Sequence, residues 1–164
     1  MFYGEDSFRQ GGRAGVGHGR DARHVAGEDL GGDADLQGLI VPTGIEASGW
    51  AFQVRLRGAK MQGQQTQPEV IQGVEGHIQA GVDVIVITRG GGSRADLSWF
   101  DQRDLAVAIA KCPVPVITAI GHEVDTSIAD LVAHHACKTP TAAAEFLVAR
   151  VDEAAGRLEE ATER

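Results

Sequence analysis

Two glycine-bearing segments of this chain hold residues that could grip an anion and move a proton. Arg89-Gly90-Gly91-Gly92-Ser93 sets a guanidinium beside three residues without side chains. A guanidinium is always charged, and its planar fork matches two oxygens of a phosphate. Glycines let the backbone approach the same anion and turn several N–H groups toward it. Gly121-His122-Glu123-Val124-Asp125 supplies an imidazole and a carboxylate three positions apart. At a helix start such positions share a face, and the N-terminal dipole tends to keep an imidazole neutral. A neutral imidazole can accept a proton, and a carboxylate beside it fixes the tautomer and stabilises the imidazolium that forms. The expected catalytic residues are Arg89, His122 and Asp125. The expected phosphate-binding set is Arg89, Gly90, Gly91, Gly92, Ser93 and Gly121, with no metal ligands. Each segment alone has a plainer reading. A triple glycine also serves as a flexible loop, and Gly-His-Glu also serves as a helix cap with an acid satisfying the dipole. The presence of two such turns at one sheet edge favours chemistry on an anionic, phosphate-like substrate.

That shared edge is itself an expectation from pattern. Residues 84–88 (VIVIT) and 114–120 (VPVITAI) are short β-branched runs, each ending at one of the glycine turns. Helical patterns separate them, which predicts parallel strands with both C-terminal ends facing one crevice. In open α/β sheets ligands bind in that crevice. Between the strands, residues 68–80 read as a helix with Val70, Ile71, Val74 and Ile78 on one face and Gly81 as its stop. Residues 103–111 read as a second helix. Phe52, Val54 and Leu56 alternate with polar residues, as in a half-buried strand. Val124, Ile128, Leu131, Val132 and His135 fit one apolar stripe of a helix beginning near Glu123. Asp96 and Asp101 are expected to cap the helix that follows them, with Trp99 and Phe100 anchoring its entry, and Asp130 to be a surface charge. His134 and His135 lack a carboxylate at ligand spacing. Thr139-Pro140 is a helix start. Beyond it Leu147, Val151, Ala154, Leu158 and Ala161 repeat at coiled-coil spacing. The fold class is therefore α/β: a small parallel sheet flanked by helices, with a C-terminal helix that begins a coiled coil.

The totals narrow the function classes. The chain has 164 residues, 43% of them hydrophobic, which suffices for one core. A formal net charge of −8 argues against a general nucleic-acid coat, though not against a small basic pocket. Cys112 and Cys137 have no paired spacing, so reduced thiols in a cytoplasmic protein are expected. No apolar run approaches the ~20 residues of a membrane helix. Residues 1–50 hold twelve of the 22 glycines and little apolar periodicity. They read as a disordered or non-native segment, because so little burial cannot offset an ordering cost of about 1–2 kcal/mol per residue.

From Val84 to Val151 the run VIVITRGGGSRADLSWFDQRDLAVAIAKCPVPVITAIGHEVDTSIADLVAHHACKTPTAAAEFLVARV resembles the large subunit of exodeoxyribonuclease VII. Three blocks carry the match in order and spacing: residues 89–100, 119–130 and 139–145. Ala59-Lys60-Met61-Gln62-Gly63 resembles the family's strand-end motif before its next helix. The resemblance implies a bacterial cytoplasmic exonuclease. It would degrade single-stranded DNA to short oligonucleotides by phosphodiester hydrolysis, with no required cofactor or metal. It also implies small subunits docked on a C-terminal helical extension, and essential roles for Arg89, His122 and Asp125. Nothing in residues 1–50 resembles the family's oligonucleotide-binding domain, and the family's further essential aspartate has no counterpart assigned here. The expected organisation is therefore a disordered or non-native segment over 1–50, an incomplete α/β catalytic core over 51–140, and the start of a coiled-coil helix over 141–164. Such a fragment is expected to have weak or no activity alone. Two alternatives stay open: a nucleotide- or sugar-phosphate-binding α/β domain, and a non-catalytic assembly module.

Overall fold

Val, Ile and Thr favour the pleated, fully buried environment of a central strand, and the two β-branched runs meet that expectation. The structure, a computed structural model, describes residues 2–4, 40–89, 94–121 and 126–163. In chain order the elements are β1 (Phe2–Gly4), α1 (Ile40–Glu46), β2 (Arg57–Ala59), α2 (Thr66–Gln79) and β3 (Ile85–Thr88). A 3-10 helix (Arg94–Phe100) follows, then α3 (Arg103–Ala110), β4 (Val116–Ala119), α4 (Ile128–Val132), β5 (His135–Ala136) and α5 (Pro140–Thr162). The five strands form one sheet in the order β2-β1-β3-β4-β5, and every pairing is parallel. The β3–β4 ladder is in register from Ile85↔Val116 to Thr88↔Ala119, with every residue of both strands buried.

Strand alternation divides the core between the two faces of the sheet. Ile85, Ile87, Val116 and Ile120 pack with Val70, Val74, Phe100, Leu105 and Ile109 from α2, the 3-10 helix and α3. Val86, Ile117 and Ala119 pack with Val41, Ile45, Ala143, Ala144 and Leu147 from α1 and α5. The α/β expectation therefore holds, as a sheet between two helical layers. Phe100 is fully buried, a burial that stabilises by about 1.5–3 kcal/mol, so it anchors the chain between the 3-10 helix and α3. Gly81 ends the α2 turn with φ of 68°, a conformation that costs glycine nothing. The Thr139 hydroxyl accepts the Ala142 N–H at 3.1 Å and Pro140 takes the first helical position, as the sequence predicts.

Four expectations change. Residues 51–56 are not in a strand; the ladder begins at Arg57. Phe52, Val54 and Leu56 do face one cluster, that of α1 and α5, so the alternation records an extended segment lying on the core without a partner strand. The helix expected from Glu123 is the five-residue α4, starting at Ile128. Ile128 and Leu131 are 43% and 73% exposed, and His135 lies in β5. Ladder bonds explain the early stop: the His134 N–H donates to the Val116 carbonyl and the Cys137 N–H to the Thr118 carbonyl, so pairing with β4 replaces continued helix. Asp130 is buried rather than on the surface. Asp101 bonds to α4 and not to α3, whose N-cap Gln102 makes no side-chain cap bond.

The glycine-rich start also contains core elements. Phe2–Gly4 is a strand between β2 and β3, and Val41 and Ile45 are buried against α5. Residues 5–39 lie outside the described residues. The C-terminal helix is present, but along the coiled-coil spacing Leu147 is buried in the domain while Leu158 is 69% exposed.

The contact of α1 with α5 is close enough to test. A Cβ on Gly44 would lie 2.8 Å from the Ala144 Cβ, whereas one on Gly156 would meet nothing within 4 Å. Gly44→Val is expected to lower stability by about 1–3 kcal/mol through overpacking. Gly156→Ala is expected to raise it by up to ~1 kcal/mol through helix propensity. Urea unfolding midpoints measure both; an unchanged Gly44→Val midpoint would contradict the packing.

Candidate functional site

The site begins where β3 and β4 end. Beyond the last paired residues, the Arg89 N–H still donates to the Ala119 carbonyl at 3.2 Å. Because the strands are parallel and in register, the chain leaves both at the same edge of the sheet. Arg89 and Ile120-Gly121 therefore lie at neighbouring strand ends. Arg89 is 6% exposed, so its side chain is largely removed from bulk water. Gly121 is partly exposed. Gly90, Gly91, Gly92 and Ser93, and His122 and Asp125 with the residues between them, lie outside the described residues.

Other strand ends gather at this edge. Lys60 follows β2, and Cys137 and Lys138 follow β5. The Lys60 N–H donates to Glu69 Oε2 at 2.7 Å, and its ammonium lies 3.8 Å from Glu69 Oε1, which ties the end of β2 to the first turn of α2. Gly63, with φ of 85°, then turns the chain into that helix. The residues 59–63 expected to form a strand end before a helix do so.

Directly after 122–125 the chain is held by a capping box. The Asp130 N–H donates to Ser127 Oγ at 3.2 Å, while the Ser127 N–H and hydroxyl donate to Asp130 Oδ2 at 3.0 and 2.8 Å. Ser127 is 2% and Asp130 8% exposed. Asp130 Oδ1 is buried without a hydrogen-bond partner among the described residues. Sequence reasoning missed this box because it set the helix start at Glu123; Ser127 followed three residues later by Asp130 was the available signal.

A profile for the family "Exonuclease VII, large subunit" matches residues 41–164. The chain belongs to the exonuclease VII large-subunit family. It is similar to the exodeoxyribonuclease 7 large subunit of Geobacter sulfurreducens, 43% identical over 108 residues that cover 65% of this chain and 24% of that protein. The corresponding protein of Moorella thermoacetica is 52% identical over 86 residues, covering 52% of this chain and 21% of its own length. That of a Synechococcus species is 55% identical over 69 residues, covering 42% and 18%. The chain thus matches about a quarter or less of these exonuclease VII relatives. The family match begins at Val41, inside α1, which agrees with the burial of Val41 and Ile45 in the core. Among the described residues no helix is long and apolar enough to cross a membrane.

The thiols at this edge and near α3 differ measurably. Cys137 is 8% exposed and Cys112 intermediate, and both are free. Burial pushes the Cys137 thiol above its ordinary range. The folded state therefore holds this proton more tightly than the unfolded chain does. The associated stability is complete below the unfolded-chain value and is lost as pH rises through the raised folded value. A thiol-alkylating reagent at pH 8 is expected to modify Cys112 first and Cys137 only on unfolding. Equal rates in the folded protein would contradict the burial, and Cys137→Ala is expected to flatten the alkaline fall in stability.

Proposed function

We propose that this chain carries the hydrolytic region of an exonuclease that degrades single-stranded DNA to short oligonucleotides within a large/small-subunit complex. The observation that supports the reading is the Arg89–Ala119 backbone bond, which joins the ends of β3 and β4 just before the two glycine-bearing stretches of sequence, in a member of this family. Arg89 and the backbone N–H groups of Gly90, Gly91 and Gly92 hold the non-bridging oxygens and stabilise the charge that grows on them. Water attacks phosphorus as the P–O bond to the departing nucleotide breaks. His122 takes the proton from water or delivers one to the leaving oxygen, and Asp125 orients the imidazole. No metal or other cofactor is required. The compartment is the cytoplasm, where both thiols stay reduced.

The small subunit docks along the outer half of α5, where Leu158 is 69% exposed. Activity of this chain alone is weak, because a net charge of −8 repels DNA.

The decisive assay follows labelled single- and double-stranded DNA, with and without chelator, on the chain alone and with a small subunit. The expected result is chelator-insensitive cleavage of the single strand, strongest with the small subunit present. Arg89→Ala is expected to reduce kcat about 10²–10³-fold, and His122→Ala about 10²–10⁴-fold. Near-parental cleavage by either variant would remove the assignment.

A further inference from the structure

Asp101 is eight residues beyond Ser93, and Ile128 is three beyond Asp125. The Asp101 carboxylate accepts the Ile128 N–H at 2.8 Å, so a hydrogen bond joins the stretches that follow the two glycine segments in sequence. Both of its ends are firmly held. Asp101 follows the fully buried Phe100, and its own N–H donates to the Ser98 carbonyl at 3.2 Å. Ile128 opens α4, where the first N–H groups have no partner within the helix. The capping box takes the N–H groups of Ser127 and Asp130 and leaves that of Ile128, for which Asp101 supplies the acceptor oxygen.

We propose that Asp101 is a positioning residue of the hydrolytic site. It ties Ile128, three residues after Asp125 in sequence, to a carboxylate eight residues after Ser93, and through that tether acts on the spacing of proton-transfer and phosphate-binding groups. It touches neither substrate nor reacting atoms. This role rests on the function proposed above. Displacement of a reacting group by about 1 Å can cost up to 10²-fold in rate, which is the scale on which a loop anchor acts.

The interaction needs an acceptor oxygen and not a charge, which makes it separable by substitution. An asparagine side chain still accepts through its carbonyl, while alanine cannot. On single-stranded DNA, with the chain assembled with a small subunit, Asp101→Ala is expected to lower kcat about tenfold or more with KM little changed. Asp101→Asn is expected to retain most of the parental kcat. Amide hydrogen exchange at Ile128, read on the chain alone, is expected to accelerate in Asp101→Ala and not in Asp101→Asn. Parental kcat in Asp101→Ala, or equal losses in both variants, would overturn the positioning role. Unchanged Ile128 exchange in Asp101→Ala would overturn the tether itself. If the alanine variant unfolds, the exchange and kcat of Asp101→Asn decide, since a loss of both there contradicts an acceptor-only role. A parent that cleaves no DNA removes the hydrolytic reading and the catalytic half of this inference, while Ile128 exchange still reads the tether independently.

Discussion

The parallel pairing of β3 with β4 is the constraint on which the rest of this structure depends. Eight buried residues in strict register align the two strand ends, and the Arg89–Ala119 bond carries the alignment one residue further. A register slip of one residue would reverse which side chains face α2 and α3 and which face α1 and α5. Both faces are apolar, so such a slip is opposed by packing shape and ladder bonds more than by polarity. The consequence is local: Arg89 and Ile120-Gly121 come to the same edge of the sheet.

Short polar interactions then fasten the chain around that edge. Glu69 holds the end of β2, Ser127 and Asp130 close the start of α4, and Asp101 links the two returning stretches. Each bond is worth only about 0.5–3 kcal/mol. Their value is geometric, since they fix described residues beyond the ends of the ladder. Arg89 lies at the same edge and is itself buried.

The opposite layer does different work. Helix α5 packs its first half on the sheet through Ala143, Ala144 and Leu147, and Gly44 lets α1 lie directly against it. The second half extends away with polar surroundings. Trp50 reaches it by donating its indole N–H to Asp152 at 2.7 Å. One helix thus closes the core at its start and offers surface at its end.

Much of this was legible in the amino-acid order. β-Branched runs before glycine turns marked β3 and β4, the Thr-Pro start marked α5, and Gly81 marked the end of α2, because each rests on local stereochemistry. The motif blocks around Arg89, Gly121 and Thr139 pointed to the family for the same reason: they are contiguous. What local pattern could not decide was competition between distant partners. Val124 to His135 has the spacing of a helix, yet ladder bonds from His134 and Cys137 to β4 cut it short. Asp130 resembles a surface charge until Ser127 turns back on it, and Asp101 resembles a cap for its own neighbour until Ile128 arrives from 27 residues away. Phe2–Gly4 has too few residues to signal a strand, and only the open position between β2 and β3 makes it one. Periodicity reports what one segment prefers alone; tertiary structure decides which of its backbone groups find a partner elsewhere.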